Sequence, residues 1–450
     1  MQPTYDQTDP TSPAGSIPHW IDPVRETDLV ARRRRVHRTP ETGWAEFIAT
    51  ARAAEFFTSL GFKVMVGREF IDPIYVRGRS EAEVSESERL AKAAGVSPVL
   101  LQRMGGLTGL CATFDTGHPG KTLAFRVELD ALKMNEPVDP DHIPYREGFA
   151  SERPGLMHAC GHDTHAACLL VFARILSEHP ELVKGTVKFI FQAAEEKLPG
   201  GAKALCADHA LDGVDMVFGM HSSSNHPLGT ITLSHSSSSA AIGIYEVAIH
   251  GKGGHGSAPH NAKNPVPVAC LLASALNQIL AEKKAPADTG VFTVSYINGG
   301  QYPNIITDTV TLGGNIRTQD NALIQQIFGH IDSISHGICE AHGMTCDVTT
   351  TLGYPATINT PEYADVIADA ADTMGYTPVE ESGSLGGEDF SYFLMEKPGA
   401  YFHVGMADPD RPITSSPHHN CNFQLDERGL AIALEMELAL YLKLTKQDGE

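Results

Sequence analysis

Short apolar segments alternate with helical segments over residues 1–242 and again over residues 356–450. The stretches at 123–127, 187–191 and 214–220 are short and apolar, which is typical of buried strands, and predicted helices lie between them. Alternation of this kind predicts a sheet covered by helices. We therefore expect an α/β domain whose sheet is mainly parallel.

The stretch from 243 to 355 follows a different pattern. Its segments suit, in order, a strand, a helix, two strands, a helix and a final strand. This order predicts a smaller α+β domain of ferredoxin-like arrangement. The chain is thus predicted to be of the α/β class, with a discontinuous domain, 1–242 and 356–450, that is interrupted by the inserted domain 243–355.

The composition is that of a globular protein, with 42% apolar and 20% charged residues among 450. A formal net charge of −21 argues against binding to nucleic acid or to an anionic membrane, because both need a basic face. The one basic run, Arg32–Arg35, is interpreted as the solvated face of a helix.

Nothing in the sequence predicts export or insertion into a membrane. Apolar residues never continue for the roughly 18 positions that a membrane-spanning helix needs. The segment 1–21 is polar, lacks the apolar core of a signal peptide and is predicted to be a loosely ordered arm. The eight cysteines are too sparse for a disulfide scaffold, so we expect a cytoplasmic protein with reduced cysteines.

The densest group of candidate metal ligands is His158-Ala-Cys160-Gly-His162-Asp-Thr-His165. Thiolate and imidazole are the ligands that borderline-soft divalent metals prefer. A Cys-x-His pair in a loop can direct both side chains toward one point. A buried structural cysteine among surface histidines is the alternative, and it is the weaker one because four such residues lie within eight positions.

Two adjacent glutamates, Glu195 and Glu196, follow the apolar stretch 187–191. Ligand sites in open α/β sheets lie beyond the carboxyl ends of the strands. One carboxylate there can bind a metal while the other takes a proton from water. Taken alone, a glutamate pair is more often the solvated start of a helix.

Two further histidine positions complete a candidate site. His221 ends another apolar strand, and a His-His pair at 418–419 lies far along the chain. Either position alone would more often be structural. With the earlier residues they give five candidate ligands, which suit two divalent ions better than one closed tetrahedral site.

These motifs resemble those of the dinuclear-metal amidohydrolases and peptidases of metallopeptidase family 20, which include aminoacylases, auxin-conjugate hydrolases and glutamate carboxypeptidases. The resemblance extends from Arg32 to the C-terminus. It is carried by Phe-Arg126-Val-Glu128-Leu-Asp130, Met-His-Ala-Cys160-Gly-His162-Asp163, Phe-Gln-Ala-Ala-Glu195-Glu196, Gly-Met-His221, Gly-Lys-Gly-Gly-His255 and Gly-Gly-Glu388-Asp389-Phe.

The resemblance implies a role for each residue of the site. Glu195 is implied to be the general base, which takes a proton from the attacking water and returns it to the leaving amine. His419 is preferred to His418 because it lies four residues before Phe423, as in the family. Two divalent ions, Mn or Zn, are implied to bind to Cys160, His162, Glu196, His221 and His419. Supporting roles are implied for Asp130, Asp163, Glu388 and Asp389.

The family also implies a homodimer formed through the inserted domain, which would serve as a dimerisation and lid domain. In such a dimer His255 would reach the neighbouring active site and stabilise the oxyanion. Asn304 and Arg317 resemble the groups that hold the amide and the carboxylate of the substrate. A second type of subunit is a further possibility that the resemblance leaves open.

The expected activity is hydrolysis of the amide bond of an N-acyl amino acid. Thr-Gly-Trp44-Ala-Glu-Phe and Tyr-Arg-Glu-Gly-Phe-Ala-Ser151 are most similar to the p-aminobenzoyl-glutamate hydrolases within the family, so p-aminobenzoyl-glutamate or a close aryl amide is the expected substrate. Lys133 and Gly256 depart from the usual family pattern and leave the exact substrate open.

Other functions remain as alternatives. An aminoacylase or dipeptidase acting on other N-acyl amino acids would use the same site, as would an enzyme that hydrolyses an aryl C–N bond in the manner of a deaminase. A metal-binding protein without turnover would not need Glu195 as a base. The run Gly251–Gly256 matches the dinucleotide fingerprint, but three prolines intervene where a helix should begin.

Overall fold

The structure is a computed structural model that describes residues 22–286 and 288–446, so the arm predicted at 1–21 lies outside the described residues. The chain forms two compact units. Within the described residues, the first unit comprises the chain from Asp22 to Ser236, Asn359–Ser382 and the chain from Tyr392 to Lys446. The second unit comprises Ser237–Ile358 and Gly383–Ser391. The boundaries expected at 243 and 355 lie inside this second unit.

The helices and strands are as follows. The helices are α1 (Pro23–His37), α2 (Phe47–Ser59), α3 (Glu81–Ala93), α4 (Pro98–Met104), α5 (Ile143–Arg146), α6 (His162–Glu178), α7 (Ala202–Cys206), α8 (Pro265–Leu276), α9 (Ile279–Lys283), α10 (Asn321–Ala341), α11 (Pro361–Met374), α12 (Ser391–Glu396) and α13 (Arg428–Lys446). The strands are β1 (Lys63–Val66), β2 (Leu110–Asp115), β3 (Thr122–Glu128), β4 (Thr186–Gln192), β5 (Met216–Pro227), β6 (Thr230–Leu233), β7 (Ser237–Ser239), β8 (Ala241–His250), β9 (Gly254–His255), β10 (Gly290–Asn298), β11 (Ile305–Ile306), β12 (Thr309–Thr318), β13 (Thr345–Leu352), β14 (Thr357–Ile358), β15 (Thr377–Glu380) and β16 (Gly399–Ala407).

The first unit contains an eight-stranded sheet in the order β1-β2-β4-β3-β5-β16-β6-β15. Its centre is parallel, because β3 pairs in parallel with both β4 and β5, and β5 pairs in parallel with β16. Antiparallel pairs join β1 to β2, β2 to β4 and β6 to β16. The prediction of an α/β domain with a mainly parallel sheet is thus confirmed.

Helix α6 forms much of the core of this unit. It packs against β3, α1 and α13, and its residues are buried along most of its length. The parallel strands β3, β4 and β5 all end at the same edge of the sheet, where loops with polar side chains follow them. The candidate site lies in these loops.

The second unit contains an antiparallel four-stranded sheet in the order β10-β12-β8-β13. Helices α8 and α10 contact it, and Val247, Leu272 and Ile327 belong to the common core. The long elements follow the chain order that the sequence predicts, β8-α8-β10-β12-α10-β13. Two small two-stranded sheets, β9 with β11 and β7 with β14, complete the unit.

The stretch Pro265–Lys283 departs from the expectation of no membrane span, since by length and composition it could cross a membrane. In this structure α8 and α9 divide the stretch. Val268, Leu272 and Leu276 pack in the core of the second unit. Core helices meet the same criterion, so the stretch is a weak indication of membrane insertion.

Candidate metal centre

The loop before α6 brings Cys160 and His162 together through Gly161. Gly161 has a φ of 91°, and a Cβ at this position would collide with Oγ of Ser222. Only glycine therefore fits between the two candidate ligands. Helix α6 begins directly at His162, so this histidine lies in the first helical turn.

His162 has the hydrogen bonding of a metal ligand. Its Nδ1 lies 2.8 Å from the backbone oxygen of Asp130, and because a carbonyl only accepts, Nδ1 carries the proton. The other nitrogen, Nε2, is buried and has no hydrogen-bond partner among the described residues. Burial alone would lower the pKa of His162, but Asp130, Glu128 and Glu196 raise it to about 10. Such a negative environment favours a cation at Nε2, whether a proton or a metal ion.

His221 and Cys160 face each other. Nδ1 of His221 donates to the backbone oxygen of Ser222 at 2.7 Å, which leaves Nε2 directed at Sγ of Cys160, 3.5 Å away. Burial and the nearby His165 lower the pKa of His221 well below its usual range, so the imidazole is neutral. Burial and the nearby glutamates raise the pKa of the Cys160 thiol, an effect that a bound cation would offset.

The backbone around Glu195 and Glu196 is held in a strained turn. Ala194 has a φ of 59°, a value that residues other than glycine rarely adopt. Asp130 accepts hydrogen bonds from the N–H groups of Glu195 (3.2 Å) and Glu196 (2.9 Å), and Glu46 accepts one from Ala194 (2.8 Å). Strain that is maintained in this way is typical of functional sites.

The two late histidines have different surroundings. His418 uses both nitrogens within the protein, since Nδ1 lies 3.2 Å from the backbone oxygen of Cys160 and Nε2 accepts from the N–H of Ser224 at 3.3 Å. His419 has a φ of 60° and directs Nε2 to within 3.1 Å of Oε1 of Glu196. The geometry thus favours His419 as the ligand.

The five candidate ligands and Glu195, the expected base, form one continuous group. Their donor atoms lie within 4.8 Å of one another in three overlapping sets: Cys160, His162 and His221; Cys160, Glu196 and His419; His162, Glu195 and Glu196. Cys160 belongs to two of these sets. One thiol, three imidazoles and adjacent carboxylates fit two neighbouring divalent ions of the zinc or manganese type.

Asp163 supports the start of α6 through contacts that the sequence did not reveal. Its carboxylate lies 2.7 Å from Nε of Arg33 and 2.8 Å from Nδ1 of His37, and all three residues are buried. Burial alone would raise the pKa of Asp163, but Arg33 and His37 lower it. The interpretation of Arg32–Arg35 as a solvated face is therefore wrong for Arg33, which is 3% exposed.

Glu46 and Glu128 are further residues that the sequence analysis did not place at the site. Glu46 is buried beneath Ala194, and burial and Asp130 raise its pKa well above the usual range. Glu128 pairs with Arg126 and lies 2.8 Å from Nδ1 of His165. The motif Phe-Arg126-Val-Glu128-Leu-Asp130 was the signal in the sequence that could have identified the ion pair between Arg126 and Glu128.

The other predicted residues lie in the second unit. His255 pairs with Ile305 across β9 and β11, and the carbonyl of Asn304 accepts a hydrogen bond from Gly256, so His255 and Asn304 are neighbours. Arg317 lies on β12, is half-buried and has no carboxylate partner among the described residues. The structure thus groups the first two but places Arg317 in a different sheet.

Glu388 and Asp389 are also part of the second unit, and both are buried. The carboxylate of Glu388 accepts a hydrogen bond from the N–H of Phe390 at 2.9 Å, and its carbonyl accepts one from Thr357. These contacts account for local order. A supporting role at the metal centre remains a prediction for both residues.

Comparison with known proteins identifies relatives along nearly the whole chain. The family model described as peptidase family M20/M25/M40 matches residues 124–441. A Haemophilus influenzae homolog of one subunit of p-aminobenzoyl-glutamate hydrolase is 31% identical over 434 residues, covering 92% of this chain and 98% of the relative. The N-acetyl-L-cysteine deacetylase of Bacillus subtilis is 30% identical over 407 residues, covering 90% and 85%.

Solved structures give the same result. The YXEP protein of Bacillus subtilis, described as a dinuclear metal-binding peptidase of the M20 family, superposes with a TM-score of 0.74 at 25% sequence identity. The match covers 94% of this chain and 99% of that protein.

Proposed function

Since the chain belongs to peptidase family M20/M25/M40 and is thus a metal-dependent hydrolase of C–N amide bonds, we propose that its substrate is p-aminobenzoyl-glutamate or a close aryl amide. The resemblance on which the sequence analysis relied is confirmed at the level of the family. Hydrolysis of the amide bond of N-acyl amino acids has support from relatives that are 31% and 30% identical to this chain. The aryl nature of the acyl group is the additional part of the proposal.

The observation that carries the hydrolytic chemistry is the overlapping set of ligand atoms around Cys160, His162 and Glu196. Two divalent ions bound there would polarise the amide carbonyl and activate water. The protein itself must then provide a base that lies close to the ions, accepts a proton from the water and does not itself bind a metal ion.

Glu195 has the position that such a base requires. Its Oε2 lies 4.0 Å from Nε2 of His162, at the edge of the ligand group, and the residue is 7% exposed. Asp130 fixes its backbone through the hydrogen bond to its N–H group. We assign to Glu195 the removal of a proton from the attacking water and its transfer to the leaving amine.

A substrate with a free carboxylate needs a cationic group, for which we propose Arg317. Its guanidinium is half-buried, and burial lowers its pKa. Among the residues that the structure describes, its hydrogen bond goes to the carbonyl of Ile316 and none goes to a carboxylate. A bidentate pair with the substrate carboxylate would use the remaining donors.

We further propose that the protein acts as a homodimer. In that arrangement His255 and Asn304 of one copy would contact the substrate held at the metal centre of the other. Support comes from the exposure of both side chains and of the apolar residues Leu271 and Val291 in the same unit.

A second candidate substrate class is the N-acetyl or other N-acyl amino acids with aliphatic acyl groups. The similarity to the B. subtilis deacetylase favours it, because that relative covers 90% of this chain. The metal centre itself does not distinguish the two classes, since both reactions cleave an amide next to an amino-acid carboxylate.

The test combines metal analysis with hydrolysis on one preparation. The purified chain is analysed for metal, treated with a chelator and reconstituted separately with Mn or Zn. Release of p-aminobenzoate from p-aminobenzoyl-glutamate is then compared with hydrolysis of a panel of N-acetyl amino acids. Two ions per chain and metal-dependent release of p-aminobenzoate are expected.

Different outcomes separate the proposals. Two ions with hydrolysis of the acetyl compounds alone would move the substrate to the second class. A preparation that holds no metal under any condition would contradict the assignment of the ligands.

A further inference from the structure

A cavity of about 410 Å³ lies in the first unit, away from the proposed ligands, among α1, α2 and α6. Its apolar surface comes from α1, α2, α6 and the sheet: Val36, Phe56, Leu129, Leu170 and Phe191. Volumes of this order are typical of sites for small molecules. None of the five proposed metal ligands lines the cavity.

Three arginines and two carboxylates line the same cavity. The carboxylate of Asp28 is already engaged, since it lies 2.8 Å from Nε of Arg32 and 2.9 Å from Nη1 of Arg174. Arg32 also stacks over the ring of Phe56 at 4.1 Å. The second carboxylate, Glu55, is exposed.

The remaining two arginines, Arg35 and Arg52, have no ion pair among the described residues. Arg52 is half-buried and donates one hydrogen bond, 3.0 Å, to Oγ1 of Thr39. Burial and the positive charge of Arg35 lower the pKa of Arg52. The charges of Glu41 and Glu152 act on Arg52 in the opposite direction and raise its pKa, but neither carboxylate forms an ion pair with it. Arg35 and Arg52 are therefore two adjacent cations at the edge of an apolar cavity, and neither has an ion-pair partner among the described residues.

We propose that this cavity binds a small amphiphilic carboxylate, whose apolar body lies on Phe56, Leu170 and Phe191 and whose carboxylate pairs with Arg35 and Arg52. The chemistry is complementary at both ends. Apolar burial favours the body of the ligand, and guanidinium groups bind carboxylates through charge-assisted hydrogen bonds. The occupant is distinct from the substrate at the metal centre.

Isothermal titration of the metal-loaded protein tests the proposal, with octanoate as the probe and 1-octanol as its uncharged counterpart. We expect octanoate to bind more tightly than octanol. Arg35→Gln and Arg52→Gln should each weaken octanoate binding by roughly tenfold or more, as expected for the loss of a charged hydrogen bond. Ala49→Met retains the charges but fills the cavity, and it should abolish binding.

Arg38→Gln is the matched control, because Arg38 is the C-cap of α1, the helix that contains Arg35, but does not line the cavity. This variant should bind octanoate as the parent protein does. Thermal unfolding of each variant verifies that it is folded. Equal binding of octanoate and octanol, or unchanged octanoate binding in both glutamine variants, would overturn the proposal. Binding that disappears only when the metal is removed would assign the carboxylate to the metal centre instead and would also overturn it.

Discussion

Glu195 and Glu196 are adjacent in the sequence, yet their carboxylates have different neighbours. Oε1 of Glu196 lies 3.1 Å from Nε2 of His419, in a ligand set with Cys160. Oε2 of Glu195 comes only to 4.0 Å of Nε2 of His162. The different environments support a division in which Glu196 binds metal and Glu195 transfers the proton.

Replacement of Glu195 by glutamine should therefore remove activity without removing metal. We expect kcat to fall by roughly 10²–10⁴-fold, the usual contribution of a general base. Elemental analysis should still find the metal content of the parent protein. The matched change Glu196→Gln should lose metal as well as activity. Parental turnover in Glu195→Gln would rule out its role as the base.

Cys160→Ser should lose metal and activity together. Cys160 belongs to two of the three ligand sets, and serine is a much poorer ligand than thiolate for zinc. Cys270→Ser, an exposed cysteine in the second unit, is the control and should retain both. Full metal content in Cys160→Ser would contradict its assignment as a ligand.

The sequence was sufficient to predict the candidate ligands because they lie in compact motifs. It was not sufficient to predict the buried residues that position those ligands through hydrogen bonds and ion pairs. Arg33 and His37 contact Asp163 across more than a hundred positions of the chain, and a basic run gives no sign that its second member is buried. Glu46 likewise reaches Ala194 only through tertiary packing.

At the scale of elements, the start of α6 is the part that determines the geometry of the site. The sequence analysis placed the Cys-x-His pair in a loop that can direct both side chains toward one point. It did not predict the reason why Gly161 is needed, namely the close approach of Ser222 from β5. The boundaries of the second unit were also beyond prediction from the sequence. Residues outside the expected range 243–355 belong to this unit, because strand β7 pairs with the distant strand β14.

Helix α13 contains a destabilising residue that is open to test. Glu437 is 3% exposed, its Oε2 has no hydrogen-bond partner among the described residues, and burial raises its pKa well above the usual range. An acid whose pKa is raised by folding costs stability once the pH exceeds its unfolded value of about 4.3. Glu437→Gln should thus increase the free energy of unfolding by about 1–3 kcal/mol at pH 7.5.

The gain should shrink as the pH falls toward about 4.3, where folded parent protein holds the proton on Glu437 and unfolded parent protein holds it about half of the time. Denaturant unfolding of both proteins at the two pH values measures this difference. Glu435→Gln, on the same helix but hydrogen-bonded to Tyr376, should give no gain. An equal gain at both pH values would show that ionisation of Glu437 is not the cause.

At the scale of the whole molecule, the chain separates a metal centre in one unit from His255, Asn304 and Arg317 in the other. The second unit also exposes apolar side chains, including Leu271 on α8 and Val291 on the edge strand β10. Exposed apolar residues beside an unpaired strand edge are typical of a surface that meets another chain.

The proposed dimer predicts that two inactive variants complement each other. Glu195→Gln lacks the base, and His255→Ala lacks the group that would act in the neighbouring copy. After the two are mixed and their chains exchange, random pairing should restore about a quarter of parental activity, because half of the dimers would contain one complete site. Size-exclusion chromatography with light scattering verifies the dimer. Absence of recovery in a verified mixed dimer would mean that His255 acts within its own chain or not at all.

The proposed ligands emerge from the ribosome at widely separated times. Cys160, His162 and Glu196 are synthesised early, whereas His419 follows only after the entire second unit. The strand β16, which lies between β5 and β6, and the helix α13, which packs on α6, are also late. Domains fold as units during translation, so the nascent chain can complete its second unit before the first. Assembly of the metal centre is therefore a late step. A chain truncated before His419 would contain a folded second unit but an incomplete metal centre.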